Sequence, residues 1–195
     1  MGVVKLSQSG LRNFAKYSSM LAGNGAFSPS SYDLLTTTTL TSSAASITFA
    51  GLGSYSGYKH LQIRAVHRAS AGEGPRIRLN GDSGSNYGQH RLVGDGTSVS
   101  SAGFANSNVI PFGSTANNST VANAFGVSVI DILDFGSSSK NTTVRFLQGE
   151  AQDNLRGIEF RSGVWLNTAA VTSVEISFFS ASFVAGSRFS LYGLK

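Results

Sequence analysis

The sequence contains no cysteine and few charged residues. Without thiols the chain can form neither a disulfide nor a thiolate metal site, so packing, hydrogen bonds or oligomerisation must stabilise it. Charged residues make up 13% of the chain, whereas globular proteins average about 25%. The net charge of +5 is not concentrated in a basic run. We therefore predict no direct nucleic-acid partner.

Long apolar segments are also missing from the sequence. No stretch approaches the roughly 20 apolar residues that a transmembrane helix needs. The N-terminal region lacks the apolar core of a signal peptide. The sequence thus predicts a soluble, unprocessed chain without a membrane partner.

The chain is rich instead in glycine, with 23 residues, and in short runs where apolar and polar residues alternate. Alternation with a period of two is typical of strands that bury one face. The predicted strands cover residues 32–40, 45–49, 59–68, 76–79, 86–93, 107–111, 121–135, 143–148, 157–166, 171–179 and 187–194. Because no crossover helix separates them, we predict an all-β fold, an antiparallel β-sandwich or jelly roll over residues 32–195.

One predicted strand differs from the others because it is apolar almost throughout. From Phe125 to Phe135 the apolar run is interrupted by glycine, by serine and by the carboxylates of Asp131 and Asp134, of which Asp131 lies nearer the middle. Its β-branched content predicts a central strand. A buried Asp131 would need a charged partner, such as Arg145 or Arg188.

Residues 1–31 form a predicted N-terminal arm that is partly helical. Apolar residues recur there at spacings of three and four, with Ser9 as a cap and Gly23 as the stop. The apolar residues of the arm are Val3, Val4, Leu6, Leu11, Phe14, Tyr17, Met20, Leu21 and Phe27. Such a face either packs on its own domain or docks on another subunit.

The titratable residues form no recognisable catalytic pattern. His60 and His67 are seven residues apart, an odd separation that puts them on opposite faces of a strand, so surface or edge positions explain them and His90 better than a metal site. Two carboxylates can hydrolyse a glycosidic bond, and Asp82 and Asp95 would be the ones to test, but turn formation explains most acids here. We predict no enzyme activity and no catalytic, cofactor-binding or metal-ligating residue.

Four aromatic residues are candidates for binding or for the core. Trp165 lies in an alternating segment and is predicted to be core. The other three, Tyr55, Tyr58 and Tyr87, lie near glycines in predicted loops, where they either pack as ordinary surface residues or contact a ligand or another subunit. Outside residues 107–111, the polar stretch 94–120 is predicted to be exposed loop that extends such a contact surface.

Five segments resemble small structural proteins from the virions of tailed phages, especially phages that infect cyanobacteria and marine bacteria. They are MGVVKLSQSG at residues 1–10, KYSSMLAGN at 16–24, YKHLQIR at 58–64, VIDILDF at 129–135 and GSRFSLYG at 186–193. The resemblance spans nearly the whole chain. It implies a jelly-roll body with an anchoring N-terminal arm, assembled as a homotrimer.

The resemblance also implies a location and partners. The protein would be made in the host cytoplasm and built into the virion as a capsid cement or decoration protein, with its arm on the major capsid protein or another virion subunit. The alternative is a tail-fibre or receptor-binding component that contacts a host-surface glycan, with the three tyrosines as the contact surface.

Overall fold

The computed structural model describes residues 31–117, 122–150 and 157–195. The chain separates into two units, Met1–Asp33 and Leu34–Lys195. The apolar arm residues, between positions 3 and 27, that were predicted to contact the major capsid protein or another subunit all lie outside the described residues.

Twelve strands account for most of the regular structure of the described residues. They are β1 (Tyr32–Thr39), β2 (Ser46–Ala50), β3 (His60–His67), β4 (Arg76–Leu79), β5 (Tyr87–Gly94), β6 (Val99–Ser107), β7 (Ile110–Pro111), β8 (Gly126–Leu133), β9 (Thr142–Gly149), β10 (Ile158–Trp165), β11 (Ser173–Ser177) and β12 (Arg188–Leu194). A 3₁₀ helix, Leu52–Tyr55, follows β2. The prediction of an all-β fold is confirmed.

The strands form two antiparallel sheets packed as a sandwich. The larger sheet has the order β1-β12-β3-β8-β9-β10-β5-β6, and the smaller sheet has the order β2-β11-β4-β7. From β1 to β12 the chain crosses repeatedly between the two sheets, while the hairpin β5-β6 and the meander β8-β9-β10 stay within the larger sheet. β1 and β12 extend the larger sheet beyond β3.

One row of isoleucines shows how the alternating pattern builds the core. Ile47, Ile176, Ile77 and Ile110 lie side by side on the four strands of the smaller sheet. All four are buried, whereas Thr48, Arg78 and Glu175, which are next to three of them on the strands, are not buried. Burial of each side chain contributes about 1.5 to 3 kcal/mol, so the row ties every strand of this sheet to the sandwich interior.

The turn after β4 follows the sequence prediction for residues 80–82. Asn80 and Gly81 have φ values of 51° and 66°, and the amide of Asp82 donates to the carbonyl of Leu79 at 2.9 Å. Asparagine and glycine tolerate this left-handed backbone better than other residues do. The chain therefore reverses here and crosses from the smaller sheet to β5 of the larger one.

His67 is a core residue, which corrects the prediction of surface or edge histidines. Its side chain is fully buried. Nε2 lies 2.8 Å from Ser128 Oγ, and Nδ1 lies 2.9 Å from Thr115 Oγ1. Its ring contacts three phenylalanines, Phe112, Phe183 and Phe189. Burial lowers the pKa of His67 from 6.5 to about 4, so the ring is neutral in the folded protein near pH 7.

β6 corrects the prediction that most of residues 94–120 are loop. Val99–Ser107 pairs with β5 as a strand at the edge of the larger sheet. Seven of its nine residues are exposed and none is buried. Neither face of the strand packs into the core, so the sequence carries no alternation of apolar and polar residues from which to predict it.

Candidate interaction surface

Apolar side chains form two neighbouring rows on the outward face of the larger sheet. The strand registers align Val129, Leu147, Phe160 and Leu92 in one row, and Val127, Ile158 and Val99 in the next, with glycines at the positions between them. We call these residues the apolar patch. Because residues two apart on a strand share a face, the rows form one continuous surface across β8, β9, β10, β5 and β6.

The apolar patch is exposed in the described structure. Ile158 is 65% exposed, Leu147 is 51% exposed and Phe160 is 45% exposed. Scattered apolar residues are common on protein surfaces, but contiguous ones mark interaction sites. The arrangement therefore indicates a surface that contacts another apolar surface.

β8 confirms the prediction of a central strand within residues 121–135, since it lies between β3 and β9, but only one of its faces is buried. In β8 one face enters the core, but Val127 on the opposite face is 51% exposed. The same two-sided apolar character occurs in β9, where Phe146 faces inward and Leu147 faces outward. The continuous apolar run was thus a signal for an exposed apolar face as well as for a core.

Two depressions accompany the apolar patch. One of about 210 Å³ lies along Val127, Val129, Leu147 and Ile158. A broader, open depression of about 710 Å³ shares Val127 and Ile158 and extends to Phe125. Apolar walls of this shape can receive apolar side chains of a partner, since a bound side chain would lose water on several sides at once.

A polar row borders the apolar patch on the same face of the sheet. Gln62 Nε2 donates to Asp131 Oδ1 at 2.7 Å. Arg145 donates to Asp131 Oδ2 through Nε at 3.0 Å and through Nη2 at 2.7 Å. Arg145 is thus the partner of Asp131, as one of the two sequence alternatives proposed. These charge-assisted hydrogen bonds fix a polar margin beside the apolar surface.

The structure separates the three tyrosines that were predicted to share a contact surface. Tyr87 is fully buried; its hydroxyl accepts from the amide of Leu79, and its single proton is within hydrogen-bond distance of the carbonyls of Leu79 and Asp82. Burial raises the pKa of Tyr87 to about 12. Tyr87 therefore cannot contact a ligand at the surface. Tyr55 and Tyr58 lie beside each other in the β2–β3 connection, half-buried against the core.

The carboxylates that were considered for catalysis serve as local hydrogen-bond acceptors. Asp82 accepts the indole N–H of Trp165 at 2.7 Å, which holds the pKa of Asp82 below its usual range. Asp95 accepts the backbone amides of Ser98 and Thr97 at 2.7 and 2.8 Å, and these bonds lower its pKa strongly. Trp165 is buried, as predicted. Both carboxylates thus stabilise the turns in which they lie.

A small polar cavity lies near the β5 end of the sandwich. It has a volume of about 80 Å³ and is lined by Ser114, Gln148 and Glu159, among others. Arg161 donates to Glu159 Oε2 at 2.6 and 3.0 Å, which pairs this buried carboxylate. The volume suits a few water molecules. Across the described residues, no group of three or more histidine, cysteine or acidic side chains is arranged to hold a metal ion.

Comparisons with known proteins return no relative for this chain. No protein-family model, no curated protein and no solved structure matches it.

In the part of the chain that the structure describes, no helix is long and apolar enough to cross a membrane.

Proposed function

We propose that this protein is a structural component of a tailed-phage virion, a cement or decoration protein that binds the capsid surface. The observation that carries the proposal is the apolar patch on the outward face of a jelly-roll sheet. The resemblance of the sequence to phage structural proteins gives the class of particle. The patch supplies a means of binding, because its exposed side chains gain stability when a partner covers them.

The form of the surface agrees with assembly better than with turnover of a substrate. The apolar patch is broad, shallow and built from strands held in register, whereas a catalytic site needs convergent polar groups in a cleft. Rigid, flat surfaces suit repeated contacts between subunits. The partner in this proposal is the major capsid protein.

The first test is the copy number of this chain in purified virions, measured by calibrated mass spectrometry against the major capsid protein. A cement or decoration protein should be present at a fixed ratio to the capsid subunits, in hundreds of copies. A few to a few tens of copies would move the protein to the tail and favour the alternative of a fibre or receptor-binding component. Complete absence from the particle would refute both.

A second test addresses the apolar patch itself. Phe160→Ser should weaken binding to capsids that lack this protein by about 3-fold to 10-fold, because Phe160 is 45% exposed and has about half of the roughly 1.5 to 3 kcal/mol of full burial still to gain. Phe179→Ser is the matched control, because Phe179 is 69% exposed but lies outside the patch. Equal binding by the two variants would show that the patch does not face the capsid.

A further inference from the structure

The larger sheet ends in an edge strand that is open to pairing. Among the described residues no strand lies on the outer side of β6. β6 is the longest described strand, with nine residues. Alternate residues of such a strand direct their backbone N–H and C=O groups away from the sheet. An edge strand with nothing to block it is a template for association with another strand.

The usual protections of an edge strand are largely missing from β6. Charge, proline and short length normally block strand pairing. In the smaller sheet, β7 has two residues and ends in Pro111, and β2 has five residues. β1, at the opposite edge of the larger sheet, contains Asp33. β6 has the sequence VSSAGFANS, which contains neither charge nor proline.

One irregularity limits how much of β6 can pair. The register with β5 shifts where Tyr87 and Gln89 face Ser107 and Phe104. Asn106, inside this bulge, has a φ of 53°. A bulge twists an edge away from further pairing. The regular part that remains available is Val99–Phe104, which pairs with β5 without interruption.

We propose that Val99–Phe104 pairs antiparallel with the same segment of a second copy, about a two-fold axis that passes beside Ser101 or beside Ala102, so that one of these two residues faces its own copy. Self-pairing brings no like charges together, because the segment is uncharged. Its four central residues, 100–103, have small side chains or none, so two strands can approach there without a clash. A two-fold contact of this kind closes after two copies, whereas pairing of β6 with β1 of another copy would continue from copy to copy. The proposed assembly is therefore a dimer, in place of the homotrimer that the resemblance implies.

The proposed dimer has a consequence for the apolar patch. The two-fold axis of an antiparallel pair stands perpendicular to the sheet, so the outward faces of both larger sheets point to the same side. Val99 lies at the β6 end of the patch, so each patch reaches the joint between the copies. The dimer therefore presents two patches to one surface, and binding of the first raises the effective concentration of the second.

The contact should be weak in isolation. A single strand pair buries far less than the roughly 1,200 Å² of a stable interface. Sedimentation equilibrium of the purified chain up to about 0.5 mM should therefore show monomer and dimer in exchange. Ser101→Lys should weaken dimerisation at least about tenfold, because it sets two like charges beside the axis. Thr38→Lys, on β1, is the matched control and should have no effect.

The absence of cysteine allows a direct test of geometry. Ser101→Cys and Ala102→Cys each introduce the only thiol of the chain. Residues facing each other across an antiparallel pair lie about 4.5 to 5.5 Å apart at Cα, within the range for a disulfide. Mild oxidation should convert at least one variant to a covalent dimer on a non-reducing gel much faster than Thr38→Cys.

Four results would overturn the proposal. They are a wild-type chain that stays monomeric throughout the concentration range, a trimer, a dimer that Ser101→Lys leaves intact, and cross-linking of the β6 thiols no faster than that of Thr38→Cys. These measurements use the purified protein alone. Their failure would leave the proposed virion role standing, and a failed virion role would leave the dimer standing.

Discussion

The neutral histidine in the core should make the stability of this protein depend on pH between about pH 4 and 6.5, which lies mostly above the ordinary pKa values of carboxylates. His67 has a pKa of about 4 in the folded state and an ordinary value of 6.5. The unfolded chain therefore binds a proton between these values while the folded chain does not. Stability from the neutral ring is complete above pH 6.5 and is lost as the pH falls towards 4.

The size of the effect follows from the same two values. One pKa unit corresponds to about 1.4 kcal/mol, so the fall from 6.5 to about 4 amounts to about 3 kcal/mol. This is a large share of the 5 to 15 kcal/mol that typical domains possess. In the described structure the neighbours of the ring are hydroxyls and phenylalanines.

Urea unfolding of the wild type and of His67→Gln measures this contribution. At neutral pH the variant should be less stable than the wild type, because glutamine fills the aromatic site poorly. Between about pH 7 and pH 4 the wild type should lose about 3 kcal/mol more of its free energy of unfolding than the variant does. His90→Gln, at an exposed position on β5, is the control and should follow the wild type. Equal pH dependence of the wild type and His67→Gln would refute the reasoning.

Three further predictions concern single contacts. Gly193→Ala should lower the free energy of unfolding by about 1 to 3 kcal/mol, because its new methyl group would lie 2.5 to 2.7 Å from the ring of Tyr58; urea unfolding measures this, and an unchanged midpoint would contradict it. Trp165→Phe should cost about 2 kcal/mol or more, since Asp82 loses a hydrogen bond to its carboxylate; a loss of thermal stability in calorimetry is the test, and it should shrink when Asp82→Asn is already present. Hydrogen bonds from residues 179–181 lower the pKa of Glu73 from 4.5 to about 2. The carboxylate should therefore stay ionised and keep these bonds until the pH falls to about 2. A carboxyl ¹³C titration measures the pKa, and a midpoint near 4.5 would exclude the bonds.

Strands whose two faces differ in polarity could be predicted from the sequence. In β3 the alternation of Leu61, Ile63 and Ala65 with polar residues predicted the observed buried face. The same alternation continues to His67, so its burial could have been predicted from its position on that face. The prediction of a surface position was wrong because the hydroxyls of Ser128 and Thr115 satisfy both ring nitrogens of His67, which allows a polar residue to be buried there.

Other features have no local signal. β6 carries no alternation because neither of its faces packs, and only pairing with β5 makes it a strand. Tyr87 shares its buried face with Gln89, which hides the pattern of a core strand. The apolar patch depends on the order β8-β9-β10-β5, since residues far apart in sequence align only after these strands pair. Long-range pairing is a property of the whole fold, and local pattern does not contain it.

The position of β3 has a consequence for how the chain reaches its native state. β3 lies between β8 and β12, so both of its neighbours are synthesised long after it. A nascent chain that has completed β3 holds two open strand edges until much later segments arrive. Distant pairings of this kind slow folding and lengthen the time during which strands can join the wrong partner. Production of the protein should therefore benefit from slow synthesis at low temperature.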